Sequence, residues 1–189
     1  MTLIHLMRHG ETEWNIARRL QGQADIGLSE AGRVQVRAQR AALDGLPVRV
    51  VASDLARTIE TAELLDVGAV RTDRRLREIH IGDWEGRPIE ALLAEDADAY
   101  YDWRFGRYTP PGGEAWEGFR DRIVDALREH ADMAQTQDRD LLLICHGGVI
   151  RAVLDGFLGL LPERFAAAEP ASLSTIRLDG QPELVSYNR

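Results

Sequence analysis

The sequence predicts an α/β fold in which a mainly parallel β-sheet is covered by helices on both faces. Short apolar runs, each of the length of a buried strand, alternate along the chain with longer stretches of helical periodicity. This alternation is typical of repeated strand–helix–strand units, which build parallel sheets. The chain has 189 residues, enough for one hydrophobic core, so we expect a single domain over residues 1–189.

The first half of the chain is predicted to contain three of the strands. They are expected at residues 3–7, 48–52 and 69–72, with a short helix or turn at 15–20 and loops at 21–28 and 73–86. Ser29 is a predicted N-cap for a helix that ends near Leu43, where a Gly and a Pro follow. Either Ser53 or Asp54 is expected to cap the next helix, which runs to about Leu65.

The second half of the chain is predicted to contain the central strand. This strand is residues 141–145, the most apolar run in the sequence, and a helix follows it over 149–158. Other helices are expected over residues 87–107, as one or two pieces, and over 114–135. Two closing strands, 173–178 and 184–187, are expected around a turn at Asp179 and Gly180.

The segment 87–114 is predicted to form a helical lid, because insertions between strands often supply specificity in such folds. It is rich in aromatic residues and arginines, namely Tyr100, Tyr101, Trp103, Arg104, Arg107 and Tyr108. These side chains suggest contacts with an organic group of a ligand, or packing of the lid onto the core.

The composition narrows the classes of partner. The 23 basic residues, all arginine, are outnumbered by 31 acidic residues, which argues against a general nucleic-acid binder but allows a local positive pocket. The single cysteine, Cys145, excludes an internal disulfide, and no run approaches the ~20 apolar residues of a membrane span. No signal peptide is recognisable. We therefore expect a cytoplasmic protein without a nucleic-acid or membrane partner.

The first predicted strand ends in a cluster of polar side chains that suits an anionic ligand. Arg8 offers a planar charged fork for phosphate or carboxylate, and His9 offers a nitrogen that can be neutral and act as a nucleophile. Gly10 allows a sharp turn close to a ligand, and Thr12 and Asn15 add uncharged hydrogen-bonding groups. Open α/β sheets bind ligands beyond the carboxyl ends of their strands, where this cluster lies.

Two further strand ends carry groups of the same kind. Arg57 falls in the first turn of the helix after the second strand, and helix N-termini favour anions. His146 and Gly147 follow the central strand and are expected to face the same crevice as His9. Taken alone, Arg57 is also compatible with a surface arginine, and His146 with a buried structural histidine.

Four stretches together resemble the signatures of the histidine phosphatase superfamily, the phosphoglycerate mutase-like enzymes. They are Arg8 to Thr12 with Asn15, the residue order over 53–62, the Leu-x-Glu and Gly-x-Trp-Glu-Gly pattern over 76–86, and His146-Gly147. The pattern over 76–86 is common in the small phosphatase branch of that family. The resemblance covers nearly the whole chain and implies a three-layer α/β/α sandwich with a mainly parallel central sheet and a helical lid.

The resemblance also implies a phosphomonoester hydrolase, of histidine acid phosphatase type, that needs no metal or other cofactor. His9 would attack phosphorus and form a phosphohistidine. The phosphoryl oxygens would be held by Arg8, Arg57, His146 and the N–H of Gly147. Glu78 would be the proton donor, and Glu85 is a competing carboxylate that spacing alone does not exclude. Further substrate contacts are implied for Asn15, Gln21, Gly22, Gly147 and Thr12.

Two other interpretations of the centre stay open. A phosphoglycerate mutase would use the same residues, but hydrolysis is favoured because bisphosphate-dependent mutases of the family are longer and carry an Arg-Arg pair in the middle segment. Cys145 and Arg151 fit the Cys-x5-Arg pattern of cysteine-dependent phosphatases, which would leave His9 and Arg57 unexplained. The expected partner is a small-molecule phosphomonoester, with phosphoglycerate, its glucosylated form, α-ribazole phosphate and sugar phosphates as candidates. The oligomeric state is also open, with a homodimer as one alternative.

Overall fold

Six strands build the central sheet of the computed structural model, which describes residues 2–178 and 180–189. They are β1 (Leu3–Arg8), β2 (Val48–Ala52), β3 (Val70–Thr72), β4 (Asp140–Cys145), β5 (Leu173–Arg177) and β6 (Glu183–Ser186). The spatial order is β3-β2-β4-β1-β5-β6. The first four strands of this order are parallel, whereas β5 and β6 are antiparallel to their neighbours. The predicted mainly parallel sheet is confirmed, while Asp179 of the predicted closing turn lies outside the described residues.

Seven α-helices in the described part of the chain surround the sheet. They are α1 (Glu13–Ile16), α2 (Glu30–Ala38), α3 (Arg40–Leu43), α4 (Ala56–Leu65), α5 (Ile89–Arg104), α6 (Trp116–Thr136) and α7 (Gly147–Leu158). Short 3₁₀ turns lie at Arg74–Leu76, Gly82–Trp84 and Pro162–Arg164. Of the helices in the described ranges, none has the length and apolar character needed to cross a membrane.

The helices form a layer on each face of the sheet. Successive residues of β4 alternate between the two faces, as the pleat of a strand requires. Leu141 and Leu143 pack in one apolar cluster with α6 and α7, and Leu142 and Ile144 pack in another with α2 and α4. Because all four side chains are fully buried, burial on both faces explains why this strand is so apolar. The expected three-layer α/β/α arrangement is therefore present.

Three parallel strands end side by side at one edge of the sheet. Arg8 at the end of β1 is in register with Cys145 of β4, and the last residue of β2 is in register with Ile144. The N–H groups of His9 and Ser53 continue this pairing, because they donate to the carbonyls of Cys145 and Ile144. The segments that follow these strands therefore leave the sheet together, which brings three of the predicted motifs to one crevice.

The predicted capping of α4 by Ser53 or Asp54 is wrong. The first N–H of the helix, from Ala56, donates to Oδ1 of Asp25 at 2.7 Å. Asp54 is not available as a cap, because Nε and Nη2 of Arg77 donate to its two carboxylate oxygens at 2.7 Å each. The acceptor at this helix start thus comes from a loop that is distant in sequence, which local spacing does not reveal.

Two predicted helices differ from expectation in shape. The helix predicted over 29–43 is divided into α2 and α3 at Gln39, whose N–H bonds to the carbonyl of Val36 and so leaves the α-helical pattern. Ser29 caps α2 as predicted. Helix α5 is kinked at Asp96, whose side chain accepts the N–H of Ala99 at 2.9 Å and starts a second helical piece. The two-piece alternative predicted for this region is the one that the structure contains.

Candidate active site

A cavity of about 180 Å³ opens at the edge where β1, β2 and β4 end. Eight residues predicted from the sequence line it, namely Arg8, His9, Asn15, Gln21, Gly22, Arg57, Glu78 and Gly147. Two other predicted residues lie just behind this lining: His146 packs against His9, and Thr12 is bonded to Asn15. The fold therefore gathers the four motifs at one site.

His9 is buried and has a defined orientation. Its Nδ1 lies 2.7 Å from the carbonyl oxygen of Gly10, so Nδ1 is assigned the proton and Nε2 keeps its lone pair. Burial lowers the pKa of the imidazole well below its usual value of 6.5, and the positive charges of Arg57 and Arg8 lower the pKa further. His9 is therefore neutral, which is the form in which Nε2 is a nucleophile.

Gly10 makes this orientation of His9 sterically possible. A Cβ atom at position 10 would lie 2.7 Å from Cγ2 of Val36 and 2.8 Å from the carbonyl oxygen of Gly32, so a larger residue would displace α2. The N–H of Gly10 donates to the hydroxyl of Thr61 at 3.2 Å, which connects the turn to α4. Both helices thus hold the carbonyl group that orients the imidazole.

Arg57 is fully buried and connects separate parts of the site. Its Nη1 and Nη2 donate to the carbonyls of Ala24 and Gly22 at 2.8 Å each, and its Nε donates to Nδ1 of His146 at 3.2 Å. Burial lowers the pKa of Arg57 to about 10, which leaves the guanidinium charged at neutral pH. Arg57 thus places a fixed positive charge beside His9.

His146 presents a hydrogen-bond donor with no acceptor. Because Nδ1 accepts the bond from Arg57, the proton is assigned to Nε2. That Nε2 is buried and has no partner among the described residues. The ring centroid of His146 lies 5.3 Å from that of His9, and burial with the charge of Arg57 keeps its pKa well below 6.5. A neutral donor in this position can bind an oxygen of a group attached to His9.

Arg8 and Gly147 supply further donors to the cavity. Nη1 of Arg8 donates to the carbonyl of Ala168 at 2.6 Å, while its Nε is buried with no partner in the described part of the chain. Gly147 begins α7, where the first N–H groups have no acceptor within the helix. Since a guanidinium and a helix N-terminus both favour negative charge, these groups suit a phosphoryl oxygen.

Asn15 is held by a capping box at the start of α1. The N–H and the hydroxyl of Thr12 donate to its Oδ1 at 3.1 and 3.0 Å, and the N–H of Asn15 donates back to that hydroxyl at 3.2 Å. The amide Nδ2 is then the group of Asn15 that remains for the cavity. Thr12 is fully buried and positions Asn15, while its substrate contact stays a prediction.

Glu78 is the carboxyl group of the cavity. Among the described residues that line it, no other is acidic. Oε2 of Glu78 accepts the N–H of Gly148 at 2.9 Å, and Oε1 accepts the N–H of Ile79 at 2.9 Å. A Cβ atom at position 148 would lie 2.1 Å from Oε1, so the glycine makes room for the carboxyl group. Glu78 is therefore placed to exchange a proton with a group in the cavity.

The competing carboxylate, Glu85, supports the neighbouring loop. Its Oε1 accepts the N–H of Gln23 at 2.7 Å, and Glu85 does not line the cavity. Nε2 of Gln23 in turn donates to the carbonyl of Glu78 at 3.1 Å. The loop that carries Gln21 and Gly22 is thus held by Glu78 and Glu85. The contact that Glu85 makes supports the loop and does not reach the cavity.

The cavity is also lined by three arginines that do not belong to the family signatures: Arg19, Arg104 and Arg151. Nη2 of Arg151 donates to the carbonyl of Arg104, and burial together with the charge of Arg104 lowers the pKa of Arg151 to about 10. Trp103 and Trp116 complete this side of the cavity. A signal for Arg151 was present in the sequence, because it follows Gly147 by four positions and so lies on the same helix face.

Cys145 does not border the cavity. Its side chain is fully buried in the apolar cluster that includes α6 and α7, and burial raises the pKa of the thiol. A nucleophilic cysteine needs an accessible thiolate. The interpretation as a cysteine-dependent phosphatase that uses Cys145 and Arg151 is therefore wrong.

Within residues 2–178 and 180–189, no group of three or more His, Cys, Asp or Glu side chains is arranged to hold a metal ion. His5, which lies four positions before His9, points elsewhere. Its Nδ1 is 3.1 Å from the hydroxyl of Thr175, and its Nε2 is 3.7 Å from the carboxylate of Asp140. His5 therefore contacts Thr175 and Asp140 and is not part of the cavity around His9.

Known proteins of similar sequence and structure can be compared with this site. The family model described as the histidine phosphatase superfamily (branch 1) matches residues 4–189. The chain is 38% identical over 165 residues to a glucosyl-3-phosphoglycerate phosphatase of Mycolicibacterium vanbaalenii, which covers 82% of this chain and 73% of that protein. It is 34% identical to the probable phosphoglycerate mutase GpmB of Serratia proteamaculans, over 98% of this chain and 89% of that protein.

Solved structures show the same architecture. A mycobacterial glucosyl-3-phosphoglycerate phosphatase in complex with VO3 superposes with a TM-score of 0.85 at 31% identity, over 100% of this chain and 99% of that chain. YhfR of Bacillus stearothermophilus superposes with a TM-score of 0.88 at 29% identity, over 100% and 97% of the two chains. The similarity thus extends over the whole fold, including the strand ends that form the cavity.

Proposed function

Because the chain belongs to the histidine phosphatase superfamily (branch 1), we propose that it hydrolyses small-molecule phosphomonoesters through a phosphohistidine on His9. The observation that carries this proposal is the state of His9. Its imidazole is neutral and buried, is oriented by the carbonyl of Gly10, and lies beside Arg8 and Arg57. These conditions favour attack by Nε2 on phosphorus and stabilise the negative charge that the attack brings to the site.

The first chemical step is in-line attack of Nε2 of His9 on phosphorus. Negative charge in the transition state is spread over the three equatorial phosphoryl oxygens. The unpaired Nε of Arg8 and Nε2 of His146 are proposed to donate to these oxygens, together with the N–H of Gly147 and the guanidinium of Arg57. Because other hydrogen bonds already orient these groups, little reorganisation is needed when the charge develops.

Proton transfer is proposed for Glu78 in both steps. In the first, Glu78 gives its proton to the leaving alkoxide as the bond between oxygen and phosphorus breaks. In the second, the carboxylate takes a proton from the water that attacks the phosphohistidine, which releases inorganic phosphate and restores neutral His9. The water enters where the alcohol has left, so one carboxyl group at a fixed place can serve both transfers.

Two lining arginines favour a leaving alcohol that carries negative charge. Arg104 and Arg151 line the cavity next to Trp103 and Trp116, and one carboxyl group, that of Glu78, borders the same space. Opposite charge stabilises a bound anion in such a pocket, even in a chain with a net charge of −8. Glucosyl-3-phosphoglycerate, named in the relative from M. vanbaalenii, and phosphoglycerate are therefore the substrates that we propose to test first.

A phosphoglycerate mutase is the second candidate, because relatives of 34–35% identity are named as probable phosphoglycerate mutases. The experiment is a screen of phosphomonoesters for release of inorganic phosphate, beside a bisphosphoglycerate-dependent mutase assay. We expect phosphate release, with phosphoglycerate and its glucosylated form turned over faster than the phosphates of uncharged sugars. Interconversion of phosphoglycerates without phosphate release would favour the mutase, and a lack of both activities would contradict the proposal.

Hydrolysis is expected to persist in a strong chelator such as EDTA. The guanidinium groups of Arg8 and Arg57 supply the positive charge at the phosphoryl group, so no added cation is required in the proposed mechanism. The measurement is the rate before and after extensive dialysis against the chelator. Loss of activity that a divalent cation restores would show that this part of the mechanism is wrong.

The imidazole of His9 is expected to stay neutral to well below pH 6.5, because burial and two arginines lower its pKa. Protonation removes the lone pair from Nε2, so activity that depends on His9 is lost only as the pH falls through this lowered pKa. The measurement is an NMR titration of the histidine ring signals, with a His9→Gln variant to assign the His9 resonance. A His9 signal that titrates at or above pH 6.5 would contradict the expectation.

A further inference from the structure

Arg122 of α6 holds the backbone of the segment that carries Glu78. Its Nη1 donates to the carbonyls of Arg75 and Arg77 at 2.6 and 2.9 Å, and its Nη2 donates to the carbonyl of Glu78 at 3.1 Å. Three carbonyl groups within four consecutive residues thus converge on one guanidinium. Since this segment begins in the short 3₁₀ turn Arg74–Leu76 and continues as a loop, the contacts supply order that regular secondary structure does not.

Glu114 holds the same guanidinium from the other side. Nε and Nη2 of Arg122 donate to its two carboxylate oxygens at 2.6 and 2.8 Å, which is a bidentate ion pair. The N–H of Glu114 donates to the carbonyl of His80 at 2.8 Å, and its Oε2 accepts the N–H of His80 at 3.3 Å. The guanidinium also lies 4.7 Å from the ring centroid of the buried Phe119. Arg122 is therefore fixed by charge, hydrogen bonds and packing.

The position of this backbone matters for proton transfer. The carboxyl group of Glu78 is itself held by two N–H groups, those of Gly148 and Ile79, and the second of these is in the same peptide group as the Glu78 carbonyl that Arg122 holds. A shift of the segment would therefore move both the carboxyl group and one of its donors. A misplacement of about 1 Å can cost about 10²-fold in rate when it alters reacting geometry.

We propose that Arg122 is a positioning residue for Glu78: it holds the 75–78 backbone so that the carboxyl group stays within reach of the leaving oxygen, and Glu114 keeps Arg122 in place. Arg122 does not line the cavity, so it acts through the backbone and not on the substrate. The inference rests on the proposed function, because it requires Glu78 to be the proton donor.

The test compares two substrates with different leaving groups. Lysine at position 122 keeps the positive charge but is a compact donor that cannot bridge three carbonyls and both oxygens of Glu114. For Arg122→Lys we expect kcat/KM for an alkyl phosphate to fall about 10-fold more than kcat/KM for p-nitrophenyl phosphate, because general acid catalysis contributes about 10²–10⁴-fold and matters most for a poor leaving group. Arg120→Lys is the matched control on α6: Arg120 pairs with Asp121 and Asp155 and does not line the cavity, so this change should leave the ratio unchanged.

A double-mutant cycle separates positioning from general destabilisation. In a Glu78→Gln background, Arg122→Lys should cause no further change in the ratio, because the proton donor is already absent. Equal losses on both substrates, or effects of the two changes that multiply, would overturn the positioning role. If Arg122→Lys does not fold, Glu114→Gln is expected to shift the ratio in the same direction by a smaller factor, and an unchanged ratio would overturn the proposal.

The same data separate this inference from the proposed function. Wild-type protein that hydrolyses neither substrate would overturn the proposed function and the positioning role with it. Glu78→Gln without any dependence on the leaving group would show that another group is the donor, so that Arg122 has no donor to position. Leaving-group dependence in Glu78→Gln but not in Arg122→Lys or Glu114→Gln would overturn the positioning role alone.

Discussion

The His9→Ala variant is expected to lose turnover by roughly 10⁴-fold or more and to form no phosphoenzyme, because it lacks the nucleophile. In wild-type protein, Nε2 of His9 carries the free lone pair of the imidazole, because Nδ1 is bonded to the carbonyl of Gly10. A phosphohistidine is stable in alkali and labile in acid. The measurement is rapid quenching with a radiolabelled phosphomonoester, followed by acid and alkali treatment of the labelled protein.

Cys145→Ser is the control for the nucleophile. The cysteine side chain is fully buried and does not line the cavity, so most activity per folded molecule should remain. Burial of a hydroxyl in an apolar environment costs about 1–3 kcal/mol, so a lower melting temperature is expected. An inactive Cys145→Ser together with an active His9→Ala, or a label that resists acid, would contradict the phosphohistidine mechanism.

The ends of the parallel strands were the most predictable part of the molecule. Apolar runs such as 141–145 identify buried strands, and a parallel sheet places the residues that follow such strands at one edge. This is why His9 and Gly147 could be expected at one site although they are far apart in the sequence. The resemblance to family signatures then added Glu78, which periodicity does not indicate.

The parts that differed from expectation depend on contacts between distant segments. Local spacing predicts Ser53 or Asp54 as the cap of α4, but Arg77 binds the carboxylate of Asp54, and Asp25 accepts the first N–H of the helix. The hydroxyl of Thr12 holds Asn15, and its expected substrate contact stays a prediction. The acceptor at the start of α4 and the arginine that binds Asp54 both come from other loops, so the capping of this helix is decided by tertiary structure.

The positive character of the cavity also arises from tertiary structure. The chain has more acidic than basic residues, 31 against 23. The cavity nevertheless collects Arg8, Arg57, Arg104 and Arg151, which come from four different parts of the chain. Burial lowers the pKa of Arg57 and Arg151 to about 10, so both keep their charge at neutral pH. The pocket can therefore attract an anion although the whole protein is negatively charged.

The choice of proton donor between Glu78 and Glu85 leads to opposite expectations for two matched variants. Glu85 does not line the cavity and accepts the N–H of Gln23, so Glu85→Gln should affect all substrates mildly and alike. The amide oxygen of the introduced glutamine can still accept the N–H of Gln23, which holds the loop. Glu85→Gln is thus a control for the loss of a negative charge in the same part of the chain.

Glu78→Gln is expected to slow the hydrolysis of an alkyl phosphate by about 10²–10⁴-fold, the usual contribution of general acid catalysis, and that of p-nitrophenyl phosphate far less. An alkoxide needs a proton in order to leave, whereas p-nitrophenolate leaves largely without one. The glutamine keeps the size of Glu78 and one oxygen that can accept the N–H of Gly148, and it loses the bond from the N–H of Ile79. Gln23 and Arg122 still bind the backbone carbonyl at this position, so the segment should hold its place. The measurement is kcat/KM for both substrates in both variants. If the dependence on leaving group is found in Glu85→Gln instead, Glu85 is the donor and Glu78 has a structural role.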